Sequence, residues 1–224
     1  MLSTRNAVVE LRSGRFVLLV IIFLAISVLV ASGITFEFDE PIISAIIDAT
    51  GIPSVDAVML VITSLADLFI IVPFSLILFI KRKTRRLGAI LLMALVLSTL
   101  ASTYIKQIVD RERPQYKFEP SIDLGYEPEQ DVVSRSASSF PSGHATRSAA
   151  FALIISYMVR DRLLVGIPAG IMMWAFPASV AFSRIYIGAH YPTDVIAGVV
   201  LGIIIANALG RILKFEASVQ QSQM

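Results

Sequence analysis

The chain has 224 residues, of which 56% are hydrophobic and 16% charged, with a mean hydropathy of +0.77 and a formal net charge of +2. That balance excludes an ordinary water-soluble globule, and the basic residues form no aromatic-interleaved stripe of the kind that binds nucleic acid. Cysteine is absent, which excludes disulfides, thiolate catalysis and cysteine metal sites.

A hydrocarbon layer about 30 Å thick needs roughly 20 apolar residues in a helix. Six runs approach that length, and they predict an all-α integral membrane protein with six transmembrane helices. The first, Phe16 to Ile34, is longer than the ~7 to 15 residue core of a signal peptide and reads as a retained anchor. With the acidic stretch that follows, it forms an N-terminal unit, 1–56. In that unit Ile42, Ile43, Ile46 and Ile47 recur with helical spacing between Pro41 and Asp48, as either an interfacial helix or a packed loop helix.

The bundle proper is predicted over 57–213. Its second span runs from Ala57 to Ile80 and is interrupted by Asp67, an acid expected to face the bundle or the interface rather than lipid. The third is Leu87 to Tyr104, the fourth Ala145 to Val159, the fifth Leu163 to Phe182 and the sixth Val195 to Leu213. Residues 115–139, rich in Pro, Gly, Ser and charge, read as an aqueous loop or substrate rim. Residues 214–224 read as a polar cytoplasmic tail.

Lys and Arg set the orientation. Arg5, Arg12 and Arg15, the run Lys81, Arg82, Lys83, Arg85 and Arg86, then Arg160, Arg162, Arg211 and Lys214 all fall at one end of these spans. The positive-inside rule makes that end cytoplasmic. Three polar segments, Lys106 to Pro114, Pro141 to His144 and Ser183 to Asp194, therefore face away from the cytoplasm, in a cell membrane.

Each segment suits phosphate. Lys106 and Arg113 are seven apart, which on a continuous helix puts them on one face ~10 Å apart along the axis, with Pro114 ending the helix. Arg113 offers a fork of donors and Lys106 a point charge. Ser142 is an expected N-cap for the fourth span, whose N-terminus presents free N–H groups to an anion. Gly143 lets that anion approach the backbone, and His144 stands beside it as a proton donor. In the third segment Pro192 should open the sixth span, so that Asp194 in its first turn reaches back to a ring nitrogen of His190. The opposite nitrogen is then placed to attack phosphorus. The chain's two histidines both fall in these segments. Two His and an Asp also suit zinc, but Lys106, Arg113 and Arg184 would bring positive charge to the same place, which favours an anion.

The pattern K-x6-R-P at Lys106, Arg113 and Pro114, P-S-G-H at Pro141 to His144, and S-R-x5-H-x3-D at Ser183, Arg184, His190 and Asp194 resembles the type 2 phosphatidic acid phosphatase family. The resemblance implies a metal-independent, cofactor-free membrane phosphatase. On its pattern His190 is the nucleophile, Asp194 its partner and His144 the general acid, while Lys106, Arg113, Ser142, Gly143, Ser183 and Arg184 hold the phosphate. Vanadium haloperoxidases share the signature but are soluble. Polyprenyl pyrophosphate is the favoured substrate, with phosphatidic acid or phosphatidylglycerol phosphate next. A phosphotransferase and a non-catalytic lipid or anion transporter are the other readings, although transporters usually carry paired repeats.

Overall fold

The computed structural model describes residues 14–116, 118, 138–159, 163, 164 and 166–212. The expected loop over 115–139, apart from its ends, and the tail over 214–224 lie outside the described residues, as do Arg5, Arg12, Arg160, Arg162 and Lys214.

The first apolar run forms α1, Gly14–Ala31, with Phe23 and Val30 buried, Ile26 packed against the core and much of its remaining apolar surface outward. Next comes α2, Phe36–Ile47, which starts earlier than the periodicity predicts and carries Pro41 within it. Its Ile43 and Asp39 are buried while Phe38 and Ile42 are exposed, so one face packs and the other is apolar and outward. The expected continuous second span is instead two helices, α3 (Pro53–Ser64) and α4 (Leu68–Ile80), bent by 48°. Asp67 sits at the break in an extended conformation, φ −71° and ψ 147°.

The third span is α5, Arg85–Val109, longer than predicted. It ends because Asp110 adopts the left-handed conformation, φ 44° and ψ 47°, its N–H bonding back to Lys106 O at 3.0 Å. Asp is among the few residues that visit this region at modest cost. Arg113 therefore lies beyond the helix, and the expected stacking of Lys106 and Arg113 on one helical face does not occur; nor is Pro114 the helix terminator.

The run expected as the fourth span forms α6, Gly143–Val159. The fifth is not one helix. Leu163–Leu164 (β1) and Ile167–Pro168 (β2) pair as a minimal antiparallel hairpin around Gly166 at φ 76°, followed by α7, Ala169–Met172, and α8, Ala175–Tyr186. Last is α9, Pro192–Ile212, which begins at the expected proline. Among the described residues, α1, α5 and α9 are long and apolar enough to cross a membrane, and the bent α3–α4 pair qualifies as one broken span.

The core runs where α6, α9, α5 and α1 meet, through Leu91, Ala94, Phe140, Leu153, Leu201 and Ile205. Phe23 of α1 stacks on Phe140, centroids 6.4 Å apart. The tightest approach is α6 against α9. A Cβ built on Gly198 would lie 2.6 Å from Ser142 O and 3.0 Å from Ala145 Cβ, and one on Gly202 would collide with the backbone oxygen of Thr146. Gly198 and Gly202 form a G-x-x-x-G pair, the small-residue spacing that brings membrane helices into backbone contact. Gly202→Ala should therefore cost about 1–3 kcal/mol or more and lower the unfolding temperature in detergent. Gly210→Ala, whose added methyl meets nothing within 4 Å, should leave it unchanged; equal shifts would show that the bundle does not depend on this contact.

Candidate active site

Close approach of α6 and α9 joins two of the three polar segments directly. Ser142 N donates to Asp194 O at 3.1 Å, so the residue before α6 is bonded to the first turn of α9. Ser142 also caps α6, its Oγ accepting from Ala145 N at 3.4 Å and its carbonyl from Thr146 N at 3.0 Å. The first segment is tied in by Ser139, which donates from its N to Arg111 O (2.7 Å) and from its Oγ to Glu112 O (3.1 Å).

Lys106, Ser142, His144, Ser183, Arg184, His190 and Asp194 are all nearly inaccessible to solvent, 4% exposed or less. Arg184, Arg147, His190 and Lys106 all lie within electrostatic reach of the His144 ring. Arg184 reaches across to α3, where its Nη1 donates to Thr63 Oγ1 at 3.1 Å. His190 Nδ1 faces Asp194 Oδ2 at 3.8 Å, longer than a hydrogen bond, and Oδ2 also accepts from Tyr191 N at 2.9 Å. Gly143 opens α6, and a Cβ there would lie 3.3 Å from an Arg147 guanidinium nitrogen. Arg113 is placed differently. It is half-buried and lines an open cavity of about 370 Å³ with Glu40, Arg111, Glu112 and Tyr191.

Two residues of this region have contacts that the sequence reading did not give: Asp67, expected only to face the bundle or the interface, and Arg147, which was not singled out. Asp67, at the break between α3 and α4, accepts from or shares a proton with His144 Nε2 at 2.6 Å. Arg147, one turn along α6 from His144 and 5% exposed, puts Nη2 3.4 Å from His144 Nδ1 and Nε 3.4 Å from Ala66 O. A signal for Arg147 was available, since a basic residue inside an apolar helix, three after a histidine, shares that histidine's face.

Behind Asp194 lies a second cluster. Arg111 Nη1 donates to Asp194 Oδ1 and Nη2 to Asp39 Oδ2 of α2, each at 2.7 Å. Its guanidinium stacks over the Tyr191 ring, 4.1 Å from the centroid. Asp39 also accepts from Thr193 N at 3.0 Å and from the Thr193 hydroxyl. Burial works against the Arg111 charge, but Asp194 and Asp39 outweigh it and raise its pKa above the ordinary value. Burial, with Glu40 adding, pushes the Tyr191 phenol up to about 12, so it stays protonated at neutral pH. Among the described residues there is no group of three or more His, Asp and Glu side chains arranged to hold a metal ion.

Comparison with known proteins places this arrangement. The chain is 29% identical over 151 residues to a lipid A 4'-phosphatase of Porphyromonas gingivalis, a match covering 66% of this chain and 61% of that protein. It is also 29% identical over 161 residues to an undecaprenyl-diphosphatase of Sulfolobus acidocaldarius, covering 70% of each. Its fold is similar to the crystal structure of the transmembrane PAP2 type phosphatidylglycerolphosphate phosphatase from Bacillus subtilis, with a TM-score of 0.71 and 26% identity, covering 89% of this chain and 96% of that one. The PAP2 superfamily model matches residues 87–216, the stretch that carries all three polar segments, and the chain belongs to that superfamily.

Proposed function

We propose that the protein is a membrane phosphatase that hydrolyses a lipid phosphate or pyrophosphate through a phosphohistidine on His190. The observation that carries this reading is the burial of both histidines among Lys106, Arg147 and Arg184, from α5, α6 and α8. Separate segments converging positive charge on two imidazoles make a site for an anion with several oxygens. A buried cation set of this kind repels a metal ion.

The chemistry follows from the two ring environments. Asp194 faces His190 Nδ1, so Nε2 attacks phosphorus. The P–N bond forms as the bond to the leaving oxygen breaks, and Asp194 stabilises the positive charge developing on the ring. His144 enters the step as an imidazolium and becomes neutral when it gives up the proton on Nε2. There the proton is held by Asp67, whose side chain is 26% exposed against 3% for His144. The leaving oxygen takes that proton. Water then attacks phosphorus, breaks the P–N bond and returns a proton to His144, releasing inorganic phosphate. Lys106, Ser142, Gly143, Ser183 and Arg184 hold the phosphoryl oxygens, with Arg113 reaching the group from the cavity side.

A lipid substrate is favoured by an apolar groove of about 310 Å³ that starts at Leu68, the residue after Asp67, and runs along Val72 of α4 and Leu92, Leu95, Val96 and Thr99 of α5. Polyprenyl pyrophosphate is the favoured substrate, supported by the undecaprenyl-diphosphatase relative; the B. subtilis structure favours phosphatidylglycerol phosphate as the second reading. The six spans are α1, the broken pair α3–α4, α5, α6, α7 with α8, and α9. Lys81 to Arg86 lie at the opposite end of α5 from Lys106, which under the positive-inside rule supports an active site on the non-cytoplasmic face.

Purified protein should release phosphate faster from polyprenyl pyrophosphate than from phosphatidic acid or phosphatidylglycerol phosphate. His190→Ala should lower turnover roughly a thousandfold or more while the protein stays folded. An acid-stable phosphoenzyme, or activity retained in that variant, would remove His190 as nucleophile. Activity should survive chelators and be inhibited by vanadate, which mimics the trigonal bipyramidal transition state; loss in chelator restored by a divalent ion would reinstate the zinc reading. With single cysteines in this cysteine-free chain, an impermeant thiol reagent on intact cells should label Ser121→Cys and not Thr84→Cys. The reverse labelling would turn the active site to the cytoplasm.

A further inference from the structure

We infer that Arg111 and Asp39 are positioning residues for the nucleophile: Arg111 fixes the carboxylate of Asp194 that orients His190, and Asp39 of α2 fixes Arg111. This rests on the reading of His190 and Asp194 as nucleophile and partner, and adds to it an element far away in sequence.

Asp194 has two oxygens with different duties. Oδ1 accepts from Arg111 Nη1, and Oδ2 accepts from Tyr191 N while facing His190 Nδ1. With Oδ1 held by a guanidinium and Oδ2 by a backbone N–H, the carboxylate plane has one setting, and that setting points Oδ2 at the imidazole. Arg111 is itself held by four partners: Asp194, Asp39, the Thr193 hydroxyl, to which Nη1 donates at 2.8 Å, and the face of Tyr191. Its fork is what lets one side chain bond two carboxylates on opposite arms, which a lysine ammonium does with poorer geometry.

Asp39 does more than neutralise Arg111. It accepts from Thr193 N, a free N–H in the first turn of α9, and from the Thr193 hydroxyl. It therefore caps α9 from another helix, one residue before Asp194, where a negative charge suits the helix dipole. All three groups are shielded, with side-chain exposures of 10% for Arg111, 1% for Asp39 and 0% for Asp194, so their bonds are not diluted by water. Arg111 occupies one of the unspecified positions of K-x6-R-P, and Asp39 lies outside the span matched by the family model.

The test separates positioning from structure and from substrate contact. Arg111→Met should lower kcat roughly ten- to a hundredfold, the range for losing charge-assisted hydrogen bonds, with KM nearly unchanged. Arg111→Lys should recover part of the loss, and Asp39→Asn should lower kcat less than Arg111→Met. In an Asp194→Asn background, Arg111→Met should cost nothing further, because its effect passes through that carboxylate. A raised KM with kcat preserved, or full additivity with Asp194→Asn, would overturn the inference. A second readout needs no turnover. In ¹⁵N-histidine spectra of the folded protein, Arg111→Met and Asp194→Asn should shift the His190 ring signals together and leave those of His144 in place. Unmoved His190 signals in Arg111→Met overturn the positioning role whether or not the phosphatase reading holds; an inactive wild-type protein with shifted signals overturns the phosphatase reading alone.

Discussion

Two glycines one turn apart on α9 allow α6 to approach until backbone meets backbone, and the site depends on that contact. Gly198 faces Ser142 O and Gly202 faces Thr146 O, so the start of α6 is pressed against the first turns of α9. Only at that separation does Ser142 N reach Asp194 O, bringing the histidine that follows the α6 cap and the histidine that precedes α9 close together. In a bilayer, apolar side chains gain little by leaving lipid for each other, so small residues and polar bonds between helices take over the task that hydrophobic burial performs in water.

The buried cations beside these histidines are expensive to maintain. Lys106, Arg147 and Arg184 are each 5% exposed or less, and buried charge is tolerated only where it is paired and hydrogen-bonded. The fold answers locally. Asp67 and Arg147 bracket the two nitrogens of His144, and Thr63 receives Arg184. The break between α3 and α4 belongs to this arrangement, because it delivers the Asp67 side chain inward from a span that would otherwise present it along a continuous helix. Non-helical backbone at membrane depth is tolerated where protein surrounds it. Around Asp194, the Asp39, Arg111 and Asp194 cluster joins α2 to the start of α9, so the segment that follows α1 is structurally continuous with the candidate active site.

The three-part polar signature, the capping role of Ser142, the start of α9 at Pro192 and the apolar runs of α1, α5 and α9 were all legible in the residues. Each is set by local chemistry: a cap residue beside a helix, a proline at a first turn, an apolar run matched to a hydrocarbon thickness. Gly198 and Gly202 carried a readable spacing as well, as did Arg147 on the His144 face.

Local chemistry did not decide where a helix stops for reasons outside itself. Asp110 in a left-handed conformation ends α5 before Arg113, although the seven-residue spacing to Lys106 suits a continuous helix. Asp67 breaks a run whose composition permits one span, and the apolar stretch from Leu163 to Phe182 divides into a hairpin and two helices. Nor did spacing along the chain relate Asp39 to Arg111 or Asp67 to His144, since a carboxylate's partner more than 70 residues away is chosen by the packing of whole helices. Sequence alone determined the class of chemistry, a hydrolase of lipid phosphates, because residue types and short spacings suffice to carry the family's signature. Tertiary structure alone decided which carboxylate serves which histidine, because buried charges must find partners wherever the close-packed helices bring them.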